Sequence, residues 1–201
     1  ITTTNILNLY FLKKDLTLTG QYSFKKDSDR THWDGTKYKI GFGPNDVREQ
    51  VSSDYAKEYF GENKYNVINL YATYNKEINK HKFTALVGYN KETNNYESFW
   101  ANRDQLITSD LPNIALATGD QTVGWDYSDW ALNGYFGRLN YMYNERYIIE
   151  LNGRYDGSSR FPEADRYGFF PSVALTWIAS KEFGESITKV MNQLKFRVST
   201  G

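Results

Sequence analysis

Between Asn133 and Thr176 the side chains alternate in chemistry with a period of two. From Tyr135, one set of alternate positions reads Tyr135, Gly137, Leu139, Tyr141, Tyr143, and the other reads Phe136, Arg138, Asn140, Met142. Past Asn144-Glu145, Tyr147, Ile149 and Leu151 share one parity, while Glu150, Asn152 and Arg154 share the other. Extended backbone sends successive side chains to opposite sides, so the pattern demands strands with one apolar and one polar face. The open question is what each face meets.

The same pattern recurs along the chain. Strands are expected at 4–12, 15–25, 65–77, 82–92, 128–143, 146–156, 167–178 and 193–200. On the second, Leu16, Leu18, Tyr22 and Phe24 oppose Thr17, Thr19, Gln21 and Ser23. The connections alternate in length. They are short at 13–15, 78–81 and 144–145, and long over 26–64 and 93–126, where periodicity is lost. The segment from Asp54, DYAKEYFGENK, has the composition for one or two helical turns. Medium connections span 157–166 and 179–192, the latter with partial helical character.

Tight turns on one rim and long loops on the other characterise a transmembrane β-barrel. A soluble meander keeps its connections short. Aromatic residues gather near the strand ends (Tyr10, Phe11, Tyr22, Phe24, Tyr65, Tyr74, Tyr89, Tyr135, Tyr147, Trp177), as girdles at two membrane interfaces require. Full charges on the polar faces, Arg138, Glu150 and Arg154 with Asn152 between them, suit a wet lumen and would be costly against lipid. The alternative, a soluble antiparallel β-sandwich such as a carbohydrate-binding module, explains the alternation equally well and the loop asymmetry less well. The two part on whether the Tyr147/Ile149/Leu151 face packs against a second sheet.

Other classes find little support. No apolar run approaches the ~20 residues of a membrane helix. Lys+Arg and Asp+Glu balance at 24 each, without the basic stripe of a nucleic-acid binder. There is no cysteine, and the two histidines, His32 and His81, lie far apart, so neither a thiolate site nor a catalytic triad can be assembled. Asp27, Asp29 and Asp34-Gly35 lack the spacing of a calcium loop. GFGP at 41–44 lacks the strand-to-helix context of a phosphate loop. In Asp156-Gly157-Ser158-Ser159-Arg160, Gly157 and the serine hydroxyls read as a turn, with Asp156 and Arg160 as an ion pair. The chain is therefore read as non-enzymatic, with no metal and no cofactor.

Several blocks carry a family resemblance. Tyr135-Phe136-Gly137-Arg138-Leu139-Asn140-Tyr141, Arg146-Tyr147 and Arg154-Tyr155-Asp156-Gly157-Ser158-Ser159-Arg160-Phe161 resemble the SusC/RagA-like TonB-dependent outer-membrane transporters. So do Tyr167-Gly168-Phe169-Phe170-Pro171-Ser172-Val173 with Trp177, and the closing Leu194-Lys195-Phe196-Arg197-Val198-Ser199-Thr200-Gly201. The clear match covers about a third of the chain. Residues 65–132 are similar in layout, including YESFWAN at 96–102 and LPNIALATGD at 111–120. The closing block often has an aromatic where Thr200 stands.

The resemblance implies an all-β chain of about eight antiparallel strands, a section of a large plugged barrel. Residues 1–201 would be part of the barrel domain, with plug, N-terminal domain and C-terminal strands outside this chain. It implies uptake of oligosaccharides or peptides across the outer membrane of a Bacteroidetes-type bacterium, driven by TonB and capped by a SusD-like surface lipoprotein. The short turns would face the periplasm and the long loops the exterior. Tyr96, Phe99, Trp100, Trp125 and Trp130 cluster around the second long region. They are the candidate surface for substrate or lid, since rigid aromatics enrich at binding surfaces. Packing of the loop on itself, or a share in the outer girdle, is the alternative role.

Overall fold

The computed structural model describes residues 1–50, 54–183 and 193–201. Ten strands form: β1 (Thr2–Phe11), β2 (Leu16–Gly35), β3 (Tyr38–Gly43), β4 (Asp46–Gln50), β5 (Tyr55–Ile78), β6 (His81–Asp104), β7 (Gln121–Tyr143), β8 (Tyr147–Ser158), β9 (Tyr167–Trp177) and β10 (Phe196–Thr200). Eight of them make one antiparallel sheet in the order β1-β2-β5-β6-β7-β8-β9-β10, and β3 and β4 pair separately. Every strand of the large sheet lies beside the next one in sequence, so each connection only reverses direction.

Packing divides the chain into two units. One comprises Ile1, Lys25–Lys64 and Asn94–Asp129; the other comprises Thr2–Phe24, Tyr65–Thr93 and Trp130–Gly201.

In the second unit the register sorts the faces. Tyr143, Tyr147, Trp177 and Phe196 stand in one row across β7–β10. The next rows on that face are Tyr141, Ile149, Leu175 and Val198, then Leu139, Leu151 and Val173, then Gly137, Gly153 and Pro171. Tyr135, Tyr155 and Phe169 close the series. Aromatic rows thus bracket aliphatic ones. The eight steps from Tyr135 to Tyr143 span about 26 Å of strand, or about 20 Å along the normal at a tilt of about 40°. That matches the apolar band of about 25 Å between the girdles of an outer-membrane barrel.

Tyr147, Ile149 and Leu151 are 43%, 41% and 42% exposed, and no large hydrophobic side chain is fully buried among the described residues. The apolar face is covered by no second sheet, and the sandwich alternative falls with it. Tyr65 departs from the girdle expectation, because its hydroxyl donates to Glu92 on the polar face, 2.5 Å away.

The tight turn between β7 and β8 follows from backbone geometry. Asn144 and Glu145 both adopt positive φ (49° and 55°), and the Arg146 N–H donates to the Tyr143 carbonyl at 3.0 Å. This is the type I′ reversal whose twist matches the flanking strands.

The long aperiodic stretches are mostly strand. β2 runs to Gly35, β5 begins at Tyr55 in the segment read as helical turns, β6 runs to Asp104 and β7 begins at Gln121. The order of short and long connections holds, but the loops shrink. β3 and β4 form a hairpin inside the first, and residues 105–120 make up the second. That loop carries a small core, in which Ala56, Leu106 and Ala117 are buried with Ile114 against them. Asp54 fixes it, its carbonyl accepting from Gln105 N–H at 2.8 Å and its carboxylate from Leu106 N–H at 3.3 Å. Asp27 is a strand residue paired with Lys25 at 2.8 Å. In the 179–192 connection a single turn, α1 (Ser180–Phe183), is helical; residues 184–192 lie outside the described residues.

Candidate functional site

The expected aromatic group is distributed over two units and, within the first, over two faces. Alternation along β6 places Tyr96 and Trp100 on one face and Phe99 on the other. Trp125 sides with Phe99, since its indole N–H donates to Glu97 at 3.0 Å. It lies parallel to Tyr127, with ring centres 5.7 Å apart and planes at 12°, and Asn95 donates to the Tyr127 hydroxyl at 2.8 Å. Both rings are thus fixed by polar neighbours, and Trp125 is 62% exposed.

On the opposite face Trp100 is packed from two directions. The Lys57 ammonium sits 4.5 Å from its ring centre and 5.5 Å from that of Trp33, a cation–π contact with two indoles. A Cβ on Gly124 would lie 2.3 Å from the Trp100 ring, so this ring rests on backbone that only glycine leaves open. Beside it, the Tyr59 and Tyr96 hydroxyls are 2.6 Å apart. That hydrogen bond, with some desolvation, raises the Tyr59 pKa. Near the start of β5, Glu58 meets His32 at 2.8 Å and Arg30 at 3.5 Å. The His32 hydrogen bond is the main cause holding the Glu58 carboxyl below its usual range.

Trp130 belongs to the second unit. Its ring faces the Arg160 guanidinium at 4.9 Å and Tyr65 at 6.0 Å. The expected Asp156–Arg160 pair does not form. Asp156 instead takes two hydrogen bonds from Arg154, at 2.9 Å each. Arg154 is the nearer donor because the two side chains stand two residues apart on the same face of β8.

Arg138, Glu150 and Asn152 join in one polar network. Arg138 donates to Asn152 at 2.7 Å, and Asn152 donates to Glu150 at 3.1 Å. Arg197 approaches Glu150 at 3.9 Å. Across β7–β10 these residues occupy the face opposite Leu139, Ile149 and Leu151, on rows that include Ser172, Ala174 and Ser199.

A feature that sequence reading did not isolate lies beyond that network. Asn90, Glu92, Arg154, Asp156, Arg166 and Phe170 line a cavity of about 410 Å³ in the second unit. Gly157 and Gly168 are among its lining residues. Gly134 and Gly168 flank Asp156 on the neighbouring strands, and a Cβ on Gly134 would fall 1.9 Å from the Asp156 carboxylate. On Gly168 it would fall 2.9 Å from the Phe170 ring. The signal available in the sequence was a pair of glycines at polar-face positions opposite one aspartate. It becomes visible only once the register is known.

A family model described as TonB dependent receptor-like, beta-barrel matches residues 2–201. TonB-dependent receptor P26 of Formosa agariphila is 35% identical over 134 residues, 64% of this chain and 13% of that protein. TonB-dependent receptor SusC of Bacteroides thetaiotaomicron is 32% identical over 154 residues, 73% of this chain and 15% of that protein. The structure of the RagAB peptide transporter superposes with a TM-score of 0.81 over 98% of this chain and 22% of that one, at 20% identity. The chain therefore spans 13% to 22% of the length of these proteins. Alternating faces, bracketing aromatic rows, sequential hairpins and the match over 2–201 lead to one conclusion: the chain belongs to the TonB dependent receptor-like β-barrel family, as a section of a SusC/RagA-like member.

Proposed function

We propose that this chain is a stretch of barrel wall in an outer-membrane, TonB-dependent importer of oligosaccharides or peptides. The observation that carries the reading is the bare apolar face of the second unit, with Leu139, Ile149, Leu151 and Leu175 exposed between two aromatic rows. Lipid is the solvent that such a face requires. The opposite face, with Arg138, Glu150, Asn152 and Arg154, lines the lumen or packs on a plug.

The turns at 12–15, 79–80 and 144–146 face the periplasm, and the long connections face the exterior. There Trp125 and Phe99 offer a surface for a SusD-like lid lipoprotein or ligand, while Tyr96 and Trp100 hold the opposite face in shape. Trp130, held between Arg160 and Tyr65, is a further contact for ligand or lid. The chain performs no chemistry; selectivity resides in loops, lumen and lid. Support for import comes from the family membership and from likeness to SusC and to the RagAB peptide transporter.

The test is fractionation and uptake with the full-length parent protein. It is expected in the outer-membrane fraction, released only by detergent, together with a surface lipoprotein. Ligand uptake should stop when TonB is deleted. Recovery of the parent protein in the soluble fraction, or uptake indifferent to TonB, would overturn the reading.

A further inference from the structure

The apolar face of the second unit is not an even wall. A trough of about 530 Å³ opens on it, lined by Leu7, Leu18, Leu70, Val87 and Tyr89 together with Gly20. We propose that this trough seats one acyl chain of a phosphate-bearing lipid of the outer leaflet, a proposal that rests on the outer-membrane reading above. Gly20 is the first support. Its φ lies outside the left-handed range, and a Cβ there would meet only the Leu70 side chain, at an ordinary 3.5 Å. No turn and no internal contact therefore requires glycine. At Gly88, by contrast, the missing Cβ leaves room for Phe136, whose ring would lie 2.5 Å from it. A glycine inside a strand costs stability and marks a place where a ligand or another backbone comes close.

Depth is the second support. Alternation puts Val87, Tyr89 and Lys91 on one face of β6, and it is the face of Tyr135, because the Tyr89 and Tyr135 rings meet with centres 5.1 Å apart. From His81, where β6 begins, Lys91 is ten steps along, about 33 Å of strand, or about 25 Å along the normal at a tilt of about 40°. That equals the height of the apolar band. Lys91 thus stands at the outer edge of the band, and the trough beside Val87 and Tyr89 lies in its outer half.

Charge names the occupant. Lys91 is exposed and forms no hydrogen bond or ion pair among the described residues. The other polar groups at that end of the face are neutral: the Tyr22 hydroxyl donates to Asn66 at 2.9 Å, and Asn133 donates to the Tyr167 hydroxyl at 3.4 Å. One unpaired ammonium above an apolar trough matches a molecule with an anionic head and a hydrocarbon chain, and lysine binds phosphate as a point charge. A second copy of this chain fits less well. Among the described residues, the strands of the second unit carry no carboxylate at that end of this face, so two such faces in contact would leave Lys91 unmatched.

The experiment titrates the full-length parent protein, purified in detergent, with phosphatidylglycerol and with a neutral glucosyl diacylglycerol of the same chains, and counts bound lipid by native mass spectrometry. The wild type is expected to retain phosphatidylglycerol in preference. Lys91→Gln should weaken that lipid by about fivefold, the effect of one lysine near an anionic surface, and leave the neutral lipid unmoved. Gly20→Leu fills the trough and should weaken both by about threefold or more; lipid tails are as apolar as leucine, so shape holds the chain. Its stability to urea should equal or exceed that of the wild type. A loss of stability would assign Gly20 to internal packing and overturn the proposal. Equal retention of the two lipids by the wild type, or retention unmoved by either variant, overturns it as well. So does a dimer of the parent protein that Gly20→Leu dissolves, which would give the trough to a second copy. The import reading fails separately: uptake indifferent to TonB would end it without changing the lipid count.

Discussion

Leu139 and Asn140 are neighbours on β7 at the same depth and on opposite faces, which makes them a matched pair for one perturbation, arginine. Leu139 is 45% exposed and stands in register with Leu151. Asn140 stands opposite Glu150 and donates to its carboxylate at 3.5 Å. Five steps separate Leu139 from the turn at Asn144, about 17 Å of strand, or about 13 Å along the normal at a tilt of about 40°. That is close to the middle of an apolar band of about 25 Å, where arginine on the lipid face costs about 2–4 kcal/mol. The folding equilibrium of Leu139→Arg should then fall by roughly 30- to 900-fold, at about 1.36 kcal/mol per factor of ten. Asn140→Arg meets a carboxylate in a wet environment and should stay within about 1 kcal/mol of wild type. Urea unfolding of the full-length protein in liposomes reads both. Equal costs for the two variants, or a larger cost at Asn140, would refute the assignment of faces.

Further outcomes follow from the first unit. Gly124→Ala forces the Trp100 ring off the strand, since the added Cβ would lie 2.3 Å away. Overpacking of this kind costs about 1–3 kcal/mol, and calorimetric unfolding should register it while Gly41→Ala, with nothing within 4 Å, leaves stability unchanged. Tyr59 ionises above the usual value because of Tyr96, so in Tyr96→Phe its ultraviolet titration should move back toward about 10. Glu58 has a depressed folded-state pKa. Its contribution is therefore complete above the unfolded carboxylate value, about 4.3, and is lost as pH falls through the lower folded value. The stability gap between wild type and Glu58→Gln should close on acidification from pH 6 to pH 3; a gap independent of pH would contradict the His32–Glu58 contact.

Legibility in the sequence tracked contrast between faces. Tyr135–Tyr143 and Tyr147–Leu151 could be read because lipid and water demand opposite chemistries, and the register Tyr141↔Ile149 and Leu139↔Leu151 follows that demand. In Lys25–Gly35, Tyr55–Lys64, Asn94–Asp104 and Gln121–Asp129 both faces are mostly polar or aromatic. There the period-two signal disappears although the backbone pairing continues, so strands read as loops. The hairpin of β3 and β4 was hidden in the same way: Tyr38, Ile40 and Phe42 alternate toward the Pro44-Asn45 turn, but Tyr38 and Phe42 stay exposed. The aromatic group was found by type and misgrouped by geometry, because sequence proximity does not reveal that Phe99 and Trp100 point to opposite sides. The cavity was out of reach for a related reason: Glu92, Asp156 and Arg166 come from separate segments and line one space only in the folded chain.

The chain contains no cysteine, so single cysteines carrying a fluorophore can report each face of β7 and β8 after native cysteines elsewhere in the parent protein are replaced. With the protein in liposomes of brominated lipid, labels at Leu139, Ile149 and Leu151 should be strongly quenched, and labels at Asn140, Glu150 and Asn152 should not. Quenching that is equal on the two parities, or stronger at Asn140, Glu150 and Asn152, would contradict the claim that this chain is barrel wall with its Leu139/Ile149/Leu151 face in lipid.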